Sequence, residues 1–203
     1  MGYTHYWRQA RDFTDVEWIE LTRLAKLITN GSQGILAHYP ATVGEDDYYG
    51  GIEDDVFIID DEEIRFNGIG EDGHETFLIT KKKRAKADYE EQHAYDKKGA
   101  FNFCKTAHKP YDKYVVAVLC AVHRVAQKQG LLGDYMQSMM KITSDGNTKD
   151  WTEGLLHAVR STREEEMLCP IRDCLTLSYV DYQDRQNAEA ETTQFIKKLR
   201  RGY

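Results

Sequence analysis

Only 3 prolines stand among 203 residues, and no run of about 18 apolar residues occurs. The 4 cysteines form no CxxC pair. Each absence removes a class of protein. So little proline excludes collagen-like and proline-rich low-complexity chains. Cys104, Cys120, Cys169 and Cys174 lack the CxxC spacing of a tetrahedral zinc site and read as reduced, packed thiols. Without a long apolar run there is no candidate membrane span. The opening Met1–Gln9 also lacks the apolar stretch of a signal peptide, so the expectation is a cytoplasmic protein with no membrane partner. What is present is a 41% share of apolar residues, enough to fill a core, over a length slightly greater than one typical domain.

The 27 Lys and Arg against 34 Asp and Glu leave a net charge of −7, unevenly spread. Ten carboxylates fall between Glu45 and Glu63 with no Lys or Arg among them, and self-repulsion predicts a solvated stretch. Lys81, Lys82, Lys83, Arg84 and Lys86 form an opposite run. No aromatic residue interleaves that run, which together with the net charge argues against nucleic acid as a partner.

Helical periodicity is clearest in two places. Thr14 and Glu17 form a capping box ahead of Trp18, Leu21, Ala25 and Ile28, and Asn30-Gly31 ends the run, predicting a helix over about 15–29. From Pro110, apolar residues recur through Val115, Val118, Val122 and Val125 to Gly130. Further apolar residues on other sides predict a central buried helix over about 110–129, with Pro110 in its first turn. Ile64–Asn67 and Thr76–Ile79 read as a hairpin around a glycine-rich turn, Phe101–Cys104 and Met139–Thr143 as further strands, and Trp151–Arg160 as a short helix. Lys81–Gly99 reads as an exposed loop, as does Ser32–Asp55, and a strand over Cys174–Val180 and a polar helix over Asn187–Leu199 follow. The fold class is α+β: a small, mainly antiparallel sheet packed against the two helices, with a single domain over 1–160 and a C-terminal helical extension over 161–203 packed on it.

Three segments carry side chains suited to chemistry. Tyr3-Thr4-His5-Tyr6-Trp7, if extended, puts Tyr3, His5 and Trp7 on one face and Thr4 and Tyr6 on the other, either as a core strand or as a stacking wall for a planar ligand. Lys105, Thr106 and Lys109, with Tyr111, precede the central helix, whose N-terminal N–H groups would welcome an anion, although the glycines of a phosphate loop are missing. Asp72, His74 and Glu75, with Asp145 and Asp150, hold acid–base and ligating groups at no recognisable metal spacing; neither a metal nor a cofactor is expected.

The motifs Gly2-Tyr3-Thr4-His5-Tyr6-Trp7, Phe66-Asn67-Gly68 with Gly73-His74-Glu75-Thr76-Phe77, Phe103-Cys104-Lys105-Thr106-Ala107-His108-Lys109-Pro110-Tyr111-Asp112, and Ser144-Asp145-Gly146 with Asp150-Trp151 together resemble a family of small bacterial and phage proteins. The likeness covers about residues 1–155. It implies no established activity and no catalytic residues. From the placement of the motifs at turns and element ends, the expectation is that Tyr3, His5, Trp7, Asn67, His74, Lys105, Thr106, Lys109, Tyr111 and Asp145 converge on one pocket. That pocket would bind a small anionic, nucleotide-like ligand without turning it over. By analogy with phage relatives, the protein would withhold a host signalling nucleotide from a defence effector in the host cytoplasm. Two alternatives stand beside it. One is a hydrolase or phosphodiesterase using His74 or His5 with Glu75 or Asp145. The other is an acidic protein-binding inhibitor acting through Glu45–Asp55. A homo-oligomer is compatible with all three.

Overall fold

The computed structural model describes residues 2–37, 57–128, 139–164, 167 and 169–171. The acidic Glu45–Asp55 stretch and the strand and helix expected beyond Cys174 lie outside these residues. In chain order the elements are β1 (Thr4–Gln9), α1 (Asp15–Thr29), β2 (Ile58–Ile59), β3 (Glu63–Phe66), β4 (Phe77–Thr80), α2 (Gln92–Lys98), β5 (Ala100–Lys105), α3 (Asp112–Lys128), β6 (Met140–Ser144) and α4 (Thr148–Thr162). The class is α+β, but the strands form two antiparallel three-stranded sheets rather than one, in the orders β5-β1-β6 and β2-β3-β4.

Helix α1 starts where its capping box predicts. Thr14 accepts the N–H of Glu17, and the Glu17 carboxylate takes the N–H of Thr14 at 2.7 Å. Arg11 grips the same carboxylate with two bonds of 2.7 and 2.8 Å. Helix α3 lies at the centre: Val115 through Val122 are buried on every side, against α1, α4 and β6. It begins at Asp112, so Pro110 stands before the helix and not in its first turn. Helix α4 comes close to α3 because Gly154 has no side chain; a Cβ there would lie 2.4 Å from Val116 Cγ1. That helix also starts earlier than periodicity suggests, since Asn147 and Asp150 make a second capping box.

The Lys81–Gly99 segment is not the open loop its hydrophilicity predicts, because its last third is α2. Gly99 ends that helix at φ +89°, and a Cβ on it would sit 2.2 Å from the Gln9 carbonyl oxygen. Only glycine lets the chain pass from α2 directly into β5 at this distance from β1. The two sheets meet through Trp7 and Phe77, whose ring centroids are 5.5 Å apart, and through Gln9, which donates to the Thr80 carbonyl at 3.2 Å.

Candidate functional site

β1 is the middle strand of its sheet. Its register, with Tyr6 opposite Phe103 and Thr143 and Arg8 opposite Phe101 and Lys141, settles which side chains share a face. Alternation sends His5, Trp7 and Gln9 inward and Tyr6 and Arg8 outward.

On the inner side the expected residues bond to one another. His5 is 0% exposed. Its Nε2 lies 2.8 Å from Asp112 Oδ1, and its Nδ1 lies 3.1 Å from Ser144 Oγ. Thr106 donates to the same Asp112 oxygen at 2.5 Å. With the proton on Nε2, that nitrogen donates to Asp112 and Nδ1 accepts from the Ser144 hydroxyl at the shorter of its two acceptor contacts, 3.1 Å against 3.4 Å to the Thr4 carbonyl, while the same oxygen accepts the Gly146 N–H at 3.0 Å. Ser144, His5 and Asp112 thus resemble a nucleophile relay in composition, yet the Ser144 oxygen is held from both sides. The chain acts as a clasp between β1, the end of β6 and the start of α3. Tyr3 stacks on His108 at 3.7 Å and meets His5 edge-on at 4.9 Å. Burial, aided by the charges of Asp112 and Asp150, pushes its hydroxyl well above the ordinary tyrosine range. Ala107 and His108 both take left-handed backbone, at φ 50° and 58°, to turn the chain beneath Tyr3, whose carbonyl accepts the N–H groups of Thr106 and Ala107. The anion expected at the start of α3 is supplied by the chain itself, as the Asp112 carboxylate.

The hairpin residues form a second cluster. Asn67 accepts the N–H groups of Gly68 and His74 and donates to the His74 carbonyl at 3.0 Å, closing the β3–β4 turn and leaving the His74 side chain in solvent. The buried Tyr111 hydroxyl donates to the Glu75 carbonyl at 2.7 Å. The Glu75 carboxylate accepts the Lys105 N–H at 2.6 Å. Lys109 reaches the Glu71 carbonyl at 2.7 Å. Cys104 is buried with its thiol pushed up by desolvation, which removes it as a nucleophile. The ten expected residues therefore divide between the inner clasp, the hairpin and the core, with Asp145 exposed and accepting the Tyr6 hydroxyl at 3.2 Å. Neither concavity formed by the described residues gathers them. Among the described residues no three His, Cys, Asp or Glu groups stand where they would hold a metal ion.

Two concavities stand out among the described residues. One, of about 340 Å³ beside the start of α3, sets Asp112, Asp150 and Glu153 against Lys109 and Lys113, a charge balance ill suited to an anion. The other, of about 460 Å³, lies over the outer face of β5-β1-β6. Arg8, Lys97, Lys98 and Lys141 line it together with Tyr6 and Phe101, and no carboxylate is among the described residues that line it. Tyr6 and Phe101 stack with centroids 6.1 Å apart and planes 17° from parallel, and Phe101 and Phe103 follow at 5.9 Å and 28°. The Arg8 guanidinium lies 4.9 Å from the centre of the Phe101 ring. It is held by the Gly99 carbonyl at 3.0 Å and by buried Glu90 at 4.0 Å. Although burial opposes it, Glu90 stays below its usual range because the N–H groups of Ala87 and Phe101 and the Arg84 guanidinium surround it. Apart from Trp7, whose ring points to the opposite face of the sheet, none of the ten expected residues lines this groove. Its signal in the sequence was the other half of the same alternation: Tyr6 and Arg8, Phe101 and Phe103, Lys141 and Thr143, each pair two residues apart.

No family model, curated protein or solved structure matches this chain. No helix among the described residues is long and apolar enough to cross a membrane.

Proposed function

We propose that the protein binds an anionic ligand carrying a planar ring, of the nucleotide type, in the groove over the outer face of β5-β1-β6. The observation that supports this reading is a concavity lined, among the described residues, by four cations and no carboxylate and floored by parallel aromatic rings. Cations supply attraction for phosphate, and the rings supply a surface for the base. Capture rather than turnover is favoured because no His, Asp or Glu is among the described residues that line the groove, which leaves the Tyr6 phenol and the lysine amines as the candidates for proton transfer there. The test is isothermal titration with purine and pyrimidine mononucleotides, followed by recovery of the ligand from denatured protein. Binding that is lost in Phe101→Ala and weakened in Lys141→Glu, with the ligand returned intact, supports the reading. Binding untouched by both substitutions places the ligand elsewhere, and an altered ligand makes the protein an enzyme.

A further inference from the structure

We infer that the occupant of the groove is a single-stranded nucleic acid, several nucleotides long, rather than a free nucleotide. This rests on the groove reading above and extends it. Three features carry it.

The first is the length of the aromatic row. A single base needs one ring, and here Tyr6, Phe101 and Phe103 present three in succession at spacings of 6.1 and 5.9 Å. Phe103 lies outside the walled part of the groove and is 47% exposed, a large apolar ring left in water at the end of the row. Successive bases laid on successive rings would cover it, and such stacking tolerates any base because each has a π-face.

The second is where the cations stand. Lys97 and Lys98, at the end of α2, flank the row on the β5 side, and Lys141 on β6 flanks it on the other, with Arg8 between them. Lys105 shares the outer face with Phe103 by strand alternation, two positions further along β5. Neighbouring strands are about 4.8 Å apart, so the charges spread over a strip wider than one phosphate and track a backbone.

The third is the shape of the face. It is open: Lys97 and Lys98 at the end of α2 line one side, and Phe103, on the edge strand β5, stands in solvent. An enclosing pocket buries most of a small ligand, whereas an open, ring-bearing strip suits a strand that enters and leaves. Two carboxylates of the described residues stand near this face: Glu90, buried, accepts the Phe101 N–H and lies 4.0 Å from Arg8, and Asp145, exposed, accepts the Tyr6 hydroxyl. The overall charge of −7 therefore does not describe this face. The basic run at Lys81–Lys86 lacked aromatic partners in sequence, but folding supplies this other face with cations and rings from three separate segments.

The test uses the full chain and fluorescence anisotropy with labelled uridylate and thymidylate octamers, with uridine monophosphate and a duplex as competitors, at about 50 and about 200 mM salt. The expected results are octamer binding at least about tenfold tighter than that of the mononucleotide, weak competition by duplex, and an affinity that falls with salt. Phe101→Ala with Phe103→Ala should lower octamer affinity at least about tenfold at unchanged melting temperature. Lys97→Glu with Lys141→Glu should reduce the salt slope by about two phosphate contacts. Mononucleotide binding as tight as the octamer, and sensitive to Phe101→Ala, overturns this inference while leaving the groove reading intact. Octamer binding indifferent to the paired ring substitution overturns the inference, and absence of binding by octamer and mononucleotide alike overturns both.

Discussion

The two faces of the β5-β1-β6 sheet are built from alternate residues of the same strands and have opposite chemistry. Inward, His5, Trp7 and Cys104 are sealed, and the one polar ring among them has both nitrogens engaged. Outward, Tyr6, Arg8, Phe101, Phe103 and Lys141 remain accessible, with the rings stacked and Arg8 alone among the groove's cations set against a carboxylate of the described residues, Glu90. Polarity alone does not separate a binding face from a structural one. His5 is as polar as Arg8, but its bonds are all made within the chain, so it holds the fold together and has nothing left for a guest.

The contrast would break most visibly at Trp7. Trp7→Ala empties the core between the two sheets and should cost about 3–5 kcal/mol in urea unfolding. A loss below about 1 kcal/mol would mean that the inner face is not the load it is described as. Next comes Asp112→Ala, which strands the buried donors of His5 and Thr106 and should cost roughly 3 kcal/mol. Asp112→Asn retains an acceptor oxygen and should recover part of that loss. Ala107→Gly relieves a left-handed residue in the turn under Tyr3 and should raise stability by about 1 kcal/mol or less.

His157 sharpens the contrast within the interior. Burial lowers its pKa, with Lys113 and Arg160 adding to the shift and the Ile28 carbonyl, 2.8 Å from Nε2, opposing it. The unfolded chain takes up this proton near about pH 6.5 while the folded chain resists it. Stability should therefore be full above that pH and decline as pH falls toward the folded pKa. Melting temperatures taken at about pH 5.5 and about pH 7.5 should differ less in His157→Gln than in the parent chain. The smallest effect belongs to the outer face: Phe103→Ala should leave stability within about 0.5 kcal/mol of the parent, and a larger loss would make Phe103 a packing residue.

Much of the architecture was legible because local chemistry declared it. Thr14 and Glu17 start α1, and the valine periodicity from Val115 to Val125 marks α3. What stayed hidden had no local signature. Helix α2 buries none of its side chains, so no apolar stripe reveals it, and it is fixed by Gly99 against Gln9. Asp150 read as a candidate acid or ligand until the start of α4 claimed it as a cap. The site was half legible. The alternation of Tyr3 to Trp7 was visible, but which half faced solvent depends on pairing β1 with strands near residues 100 and 140, and nothing within β1 encodes that choice. The aromatic inner half drew notice by its density, whereas Tyr6, Phe101 and Lys141 are unremarkable until register makes them neighbours.

The middle position of β1 also bears on how the polypeptide is made. His5 and Ser144 lie 139 positions apart, and His5 joins the sheet only when that distant segment exists. At ribosomal speeds of about 5–20 residues per second, the tyrosine-rich segment spends roughly 10 s outside the exit tunnel with one or both of its lateral partners still unsynthesised. A nascent chain stalled short of Met140 should consequently be protease-sensitive near its start and a client for chaperones, becoming resistant once Ser144 has emerged.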